Sequence, residues 1–108
     1  MKVEFRTSNL KRQCEDPSLA QKEFGANIGN RLAQRIGELL AESSLKYIMA
    51  IPSARLRKLE FSREDLYAVE LVHPHSLVFR PILENGNDKR KLERITVIRI
   101  EEVGDYHG

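Results

Sequence analysis

The sequence predicts an α+β fold with the element order β-α-α-β-β-β, in which N-terminal helices pack on a mainly antiparallel four-stranded sheet. Two observations support this prediction. Apolar residues recur at helical spacing in the first half of the chain, and short runs rich in Val, Ile, Leu, Tyr and Phe lie between turn residues in the second half. A length of 108 residues suits one domain, over residues 1–108.

The chain is predicted to begin with a strand. Val3 and Phe5 alternate with charged residues from Lys2 to Arg6, which is the period of a strand with one buried face. The polar stretch from Thr7 to Glu15 that follows is predicted to be a connection.

Two helices are predicted next. The first covers about residues 17–24, because the Asp16 side chain can accept hydrogen bonds from first-turn amides, Pro17 fits the first helical position and Gly25 can end the helix. The second runs from Asn27 to about Glu42 and packs on the sheet. Its predicted apolar stripe comprises Ile28, Leu32, Ile36, Leu39 and Leu40.

The middle of the chain is the least regular part. Ser43 and Ser44 can cap a further short helix over Leu45 to Ala50, which Pro52 ends. The segment from Ser53 to Arg63 is basic and is predicted to be irregular or weakly extended.

Three strands are predicted in the second half. Leu66 to Val72 and Ser76 to Ile82 form an antiparallel hairpin through the turn His73-Pro74-His75. A second turn covers residues 84–88, and Arg94 to Val103 forms the last strand. Its run of Ile and Val predicts a central position in the sheet, buried on both faces.

The composition excludes several classes of protein. A single cysteine, Cys14, rules out an internal disulfide and a cysteine-rich zinc site, and no stretch approaches the roughly 20 apolar residues of a membrane span. A cytoplasmic protein without membrane contact is therefore expected. His73 and His75 are interpreted as turn residues, so no metal and no cofactor are predicted, and a Gly-rich phosphate loop and a G-x-S-x-G motif are both missing.

The net charge of +2 conceals an uneven distribution. The segments from Lys46 to Arg63 and from Lys89 to Arg99 each hold five cationic side chains and one carboxylate, whereas the last nine residues hold only acidic charges. Scattered basic residues often form no more than a solvated face. Two basic segments beside an acidic end also suit a protein that binds RNA phosphates.

The chain closes with Asp105-Tyr106-His107, directly after the last predicted strand. A terminal tail is often frayed, but a preceding buried strand would hold these three proton-transferring side chains in place. RNA cleavage without a metal needs a base for the 2′-hydroxyl, an acid for the leaving 5′-oxygen and cations for the phosphorane. The triplet and a basic segment, Arg55 to Lys58, crossing the open side of the sheet would together suit that reaction.

These motifs resemble the HigB-type killer toxins of the RelE/ParE superfamily of type II toxin–antitoxin systems. The similarity in order and spacing runs from about Phe24 to the end of the chain, and the closing triplet is its most specific part. The matching segments are PSARLRKL at 52–59, LYAVEL at 66–71, HPHSLVFRP at 73–81, ITVIRIEEV at 95–103 and the triplet itself.

The resemblance implies a RelE-like fold of the microbial-ribonuclease type, with plasmid maintenance as a typical role. The expected activity is endoribonucleolytic cleavage of mRNA on the translating ribosome, which inhibits translation. A cognate antitoxin, typically a HigA-like helix-turn-helix protein, would neutralise the toxin. Operator DNA would be contacted only through the toxin–antitoxin complex.

Carried over to this chain, the family pattern assigns catalysis to Asp105, Tyr106 and His107, with His107 exchanging protons and Tyr106 positioning or stacking on the substrate. Arg57 replaces the histidine of many relatives and would clamp phosphate rather than act as a base. Ser76 replaces an arginine. The residues expected to contact RNA are Arg55, Lys58, Arg80 and Arg99.

Two other functions stay open at this stage. Because Arg57 and Ser76 depart from the family pattern, the chain can instead be a catalytically impaired homologue that serves as an antitoxin-binding, autoregulatory module. The third alternative is the gyrase-poisoning ParE-type branch, which the closing triplet disfavours. As for structural roles, Arg80 can pair with Glu70 or Glu102 across neighbouring strands.

Overall fold

A computed structural model describes residues 1–60, 65–83 and 91–105 of the chain. The predicted turn at residues 84–88 and the last two members of the closing triplet, Tyr106 and His107, lie outside the described residues. The elements in chain order are β1 Lys2–Phe5, α1 Ser8–Glu15, α2 Pro17–Phe24, α3 Ala26–Ala41, α4 Leu45–Met49, β2 Arg57–Lys58, β3 Tyr67–Glu70, β4 His75–Pro81 and β5 Val97–Asp105.

The sheet is mixed, with the strand order β1-β5-β4-β3-β2. The predicted α+β class and the antiparallel hairpin of β3 and β4 are confirmed, but the predicted count of four strands was wrong. The fifth strand is β2, where Arg57 pairs with Ala68 and Lys58 pairs with Tyr67. Two residues are too few to show a strand period in sequence.

Strand polarity also differs at one edge of the sheet. β1 runs parallel to β5, with Val3 opposite Ile98 and Phe5 opposite Ile100, whereas the other pairs are antiparallel. A parallel neighbour requires a long crossover between the two strands. The helices that follow β1 in the chain supply part of that connection.

The segment from Thr7 to Glu15, predicted to be a connection, contains helix α1. The Thr7 side chain accepts a hydrogen bond from the Leu10 amide at 3.1 Å, which caps the first turn. Leu10 and Cys14, four residues apart, bury one side of the helix. An apolar stripe of only two residues is too weak to predict a helix from hydrophobic periodicity.

The predicted start of α2 is confirmed at Asp16, whose carboxylate accepts hydrogen bonds from the amides of Ser18 and Leu19. The longer helix α3 follows almost at once, after Gly25 with a φ of 88°. Residues of its predicted stripe enter the core with one exception, since Leu40 is 55% exposed.

The core lies between the helices and one face of the sheet. Its fully buried members come from α3, α4 and the strands, and they include Leu32, Leu39, Leu45, Ile48, Leu77, Phe79, Ile98 and Ile100. Within the described ranges, no helix is both long enough and apolar enough to span a bilayer.

β5 occupies an interior position between β1 and β4, as its apolar run predicted. The predicted burial on both faces was wrong, because Arg99 and Glu101 occupy the face opposite Ile98 and Ile100. A register shift between Val78 and Phe79 of β4 marks a β-bulge in β5, because Val78 is opposite Glu102 while Phe79 is opposite Ile100. Glu101 is therefore the extra residue of the bulge, and it lies beside Arg99 on the charged face.

The two glycines inside α3 give a matched test of the α2–α3 packing. A methyl group at Gly29 would lie 2.9 Å from the Gln21 nitrogen of α2, whereas one at Gly37 meets nothing within 4 Å. We expect Gly37→Ala to raise the free energy of unfolding by about 1 kcal/mol through helix propensity, and Gly29→Ala to lower it. Denaturant unfolding measures both, and equal effects would contradict the close approach of α2.

Cys14 provides a pH-dependent test of α1. Burial, followed by the nearby Glu15 charge, raises the pKa of the Cys14 thiol from 9.0 to about 12. The folded protein therefore keeps the proton in a pH range where the unfolded chain loses it, so this contribution to stability is lost as the pH rises from 9 to 12. We expect Cys14→Ala to flatten that decline in alkaline denaturant titrations.

Candidate functional site

Several candidate residues lie on the face of the sheet that points away from the helices, here called the open face. Leu77 and Phe79 of β4 enter the core, so the alternating residues Ser76, Val78 and Arg80 point to the open face. Val78 packs there against a small apolar cluster with Leu59, Leu66 and Ala68. The charged residues therefore flank an apolar centre.

The first charged group, here called the Arg57 cluster, comprises Arg57, Glu70, His73 and Ser76. The Arg57 Nη2 atom donates to Ser76 Oγ at 2.8 Å, and its Nη1 atom lies 3.6 Å from Glu70 Oε2. The other Glu70 oxygen lies 3.8 Å from His73 Nδ1. Ser76 is buried, so its hydroxyl anchors the Arg57 guanidinium over the sheet.

Arg57 reaches this position across an intervening strand. It lies on β2 at the edge of the sheet, opposite Ala68 of β3, while Ser76 belongs to β4. The Ala68 side chain is fully buried and ends at Cβ, which lets the long Arg57 side chain pass over β3. The sequence predicted that residues 55–58 cross the open side of the sheet. The Arg57 side chain makes this crossing, because the backbone of β2 stays at the edge of the sheet.

The second charged group, here called the Glu101 cluster, comprises Arg80, Arg99 and Glu101. Arg80 and Arg99 are opposite each other in the β4–β5 ladder, where like charges repel. Glu101 compensates this repulsion, because one carboxylate oxygen lies 2.9 Å from Arg80 Nε and both accept from Arg99 at 3.2 Å. Arg80 therefore pairs with Glu101, whereas the sequence suggested Glu70 or Glu102 as its partner.

The two clusters occupy opposite ends of β4. Ser76 and Arg80 are four residues apart, which corresponds to roughly 13 Å along a strand. The last described residue of the chain, Asp105, is opposite His75, and Gly104 is opposite Ser76. β5 thus brings Asp105, the first member of the closing triplet, to the end of the sheet that holds the Arg57 cluster. Asp105 itself is exposed, and Tyr106 and His107 lie outside the described residues.

The remaining predicted RNA contacts are more scattered. Lys58 alternates with Arg57 and lies 3.5 Å from Asp65. Arg55 is exposed and adopts a left-handed backbone conformation, with φ 47° and ψ 53°, which costs a residue with a side chain about 1–2 kcal/mol. Such strain often accompanies functional segments. Arg63, Lys89 and Arg90 of the two basic segments lie outside the described ranges.

An aromatic pair supports the open face from the helix side. Tyr67 of β3 stacks on Phe79 of β4, with ring centroids 6.2 Å apart. Burial raises the pKa of the Tyr67 hydroxyl above 10.0, so the side chain is neutral at physiological pH. The strands beneath the Arg57 cluster are therefore held by a stacked and uncharged pair.

Sequence reasoning missed the residue that connects the helices to the site. Arg35 of α3 is only 1% exposed, and it donates to the backbone carbonyls of Glu70 and Ser53, both at 2.7 Å, and to Glu38 Oε1 at 2.8 Å. It thereby fixes the end of β3 and the turn before β2. The available signal was its spacing, since Arg35 lies on the apolar stripe between Leu32 and Leu39.

Glu70 and Glu101 were also missing from the predicted site. Each lies in a strand and is the carboxylate partner of an arginine on the open face. Among the residues that the structure describes, no group of three or more His, Cys, Asp or Glu side chains is arranged to hold a metal ion. The described chemistry of the open face is thus that of guanidinium, carboxylate, imidazole and hydroxyl groups.

Comparisons of this chain with protein-family models, with curated proteins and with solved structures find no match.

Arg35 can be tested by its effect on stability. Arg35→Met leaves two backbone carbonyls and Glu38 without this donor, so we expect the free energy of unfolding to fall by about 3–5 kcal/mol. Arg35→Lys keeps the positive charge but lacks the planar guanidinium that donates in several directions. We therefore expect it to lower the free energy of unfolding by less than Arg35→Met does.

The matched control for this experiment is Arg31→Met, because Arg31 lies one turn earlier on α3 and is only half-buried. We expect it to change stability by less than about 1 kcal/mol. Similar losses for the two methionine variants in denaturant unfolding would contradict the role given to the Arg35 bonds.

Proposed function

We propose that this chain is the toxin of a type II toxin–antitoxin system, a metal-independent and ribosome-dependent mRNA endoribonuclease with a RelE-like fold of the microbial-ribonuclease type. The observation that supports it best is the end of β5 beside the Arg57 cluster, where His75 is opposite Asp105 and Gly104 is opposite Ser76. Asp105, the first member of the closing triplet, therefore lies at the end of the sheet that holds a guanidinium, a carboxylate and an imidazole.

The proposed reaction divides the work between these groups. The 2′-hydroxyl of the RNA attacks the adjacent phosphate, so negative charge develops on the phosphorane oxygens. Arg57 is placed to stabilise that charge, while His107 exchanges protons and Tyr106 positions or stacks on the substrate. Arg80 and Arg99, roughly 13 Å further along β4, are placed to contact the phosphates of neighbouring nucleotides.

The proposed partners follow from the same assignment. The ribosome presents the mRNA, and a helix-turn-helix antitoxin encoded beside the toxin neutralises it and links the complex to operator DNA. Phosphate contacts release counterions, so binding to ribosomal RNA is expected to weaken steeply with salt.

One observation favours a second candidate function. Arg57 and Ser76, the two departures from the family pattern, bond to each other at 2.8 Å, which engages the Arg57 guanidinium within the protein. A chain in which this contact replaces the catalytic groups of its relatives would serve as an antitoxin-binding and autoregulatory module without cleaving RNA.

Controlled expression separates the two candidates. We expect the wild-type chain to arrest growth and fragment mRNA, and His107→Ala to lose both effects because the proton-exchanging group is removed. The matched control is Lys11→Ala, which removes an exposed charge on α1 that lies 3.9 Å from Glu15. It should remain toxic.

Growth curves and mapping of mRNA 5′ ends measure the outcome. Intact mRNA on expression of a soluble wild-type chain would reject the ribonuclease and favour the binding module. DNA damage with intact mRNA would instead indicate gyrase poisoning.

A further inference from the structure

Glu70 differs from the other carboxylate of the open face in how its oxygens are engaged. Glu101 is 11% exposed in its side chain, and arginine nitrogens hold both of its oxygens at 2.9–3.2 Å. The Glu70 side chain is 20% exposed, and its charged neighbours lie at 3.6 Å and 3.8 Å, beyond the usual hydrogen-bond range of about 2.7–3.2 Å. Glu70 thus retains accepting capacity toward solvent or substrate.

The position of Glu70 also matches a chemical requirement. Metal-free RNA cleavage needs a group that accepts the 2′-hydroxyl proton, and an arginine cannot do so near neutral pH. Arg57 occupies the place where many relatives of the resembled family have a histidine. At this position of β2 the chain therefore has no side chain that can accept the proton of the 2′-hydroxyl. The Glu70 carboxylate lies within 4 Å of the guanidinium proposed to hold the phosphate.

We propose that Glu70 is the general base of the RNA cleavage, an inference that rests on the proposed ribonuclease function. The Glu70 carboxylate takes the proton of the 2′-hydroxyl as the 2′-oxygen bonds to phosphorus. The bond between phosphorus and the 5′-oxygen breaks, its electron pair stays on that oxygen, and His107 supplies the proton. The products are a 2′,3′-cyclic phosphate and a 5′-hydroxyl end, and Arg57 stabilises the charge of the phosphorane.

Charged and titratable groups reach Glu70 from the neighbouring elements. Arg57 approaches from β2 and His73 from the turn after β3, while Arg35 of α3 donates to the Glu70 backbone carbonyl from the helix side. His75 and Asp105 lie at the same end of the β4–β5 ladder. Arg35 fixes the backbone of Glu70, and Ser76 fixes the guanidinium of Arg57. The Glu70 carboxylate is therefore held at one place on the open face.

The test uses the full chain with translating ribosomes and a defined mRNA, and it measures the single-turnover cleavage rate and the binding of mRNA separately. We expect Glu70→Gln to lower the rate by roughly 10²–10⁴-fold, with mRNA binding to the toxin–ribosome complex changed by less than a few fold. Glu70→Asp keeps a carboxylate, so it should cleave at a rate between those of Glu70→Gln and the wild-type chain.

Glu15→Gln is the matched control, because it neutralises a half-exposed carboxylate on α1 that is 3.9 Å from Lys11. It should cleave at the wild-type rate. Thermal unfolding of each variant accompanies the assay. If Glu70→Gln is too unstable to compare, the cleavage rate of Glu70→Asp decides, since a purely structural carboxylate would leave that rate at the wild-type value.

The two ways in which the proposal can fail are distinguishable. Cleavage by Glu70→Gln within about threefold of wild type would overturn the role of Glu70 and leave the ribonuclease standing. Absence of cleavage by the wild-type chain on ribosomes would overturn both proposals together.

Discussion

The buried guanidinium of Arg35 is the interaction on which the arrangement of the open face depends. Isolated charges are costly to bury, and this one is tolerated because Glu38 and the carbonyls of Ser53 and Glu70 accept its hydrogen bonds. Those two carbonyls belong to the segments that lead into β2 and end β3. One side chain on α3 therefore links the segment before β2 to the end of β3, and Arg57 and Glu70 of these two strands lie beside each other on the open face.

Charge compensation is the second constraint. Arg57 lies beside Glu70, and Arg80 and Arg99 share Glu101, so the described open face places carboxylates next to its guanidinium groups. An approaching phosphate would exchange one anionic partner of an arginine for another, which costs less than stripping water from an unpaired cation but also gains less. Under the proposed function, affinity for RNA must therefore come from a larger surface than these two clusters.

The fold was largely predictable because long apolar periods are visible in sequence, as in α3 and the β3–β4 hairpin. Helix α1 and strand β2 could not be predicted in this way. A helix with a cap and only two buried apolar residues, or a strand of two charged residues, is too short to show a hydrophobic period. The same limit applies to the site. Arg57 was found by its position in a motif, whereas Glu70, Glu101 and Arg35 depend on which strands are neighbours, and that information is tertiary.

The hydrogen bond between Arg57 and Ser76 changes how the two departures from the resembled family are understood. An arginine at position 76 would place a second guanidinium against Arg57 in a buried position, where like charges repel strongly. A serine hydroxyl at this position instead accepts a hydrogen bond from Arg57, so the two side chains stabilise each other. The pair therefore holds the cation of β2 over the sheet, beside Glu70 of β3, the carboxylate to which the proposed cleavage assigns the base.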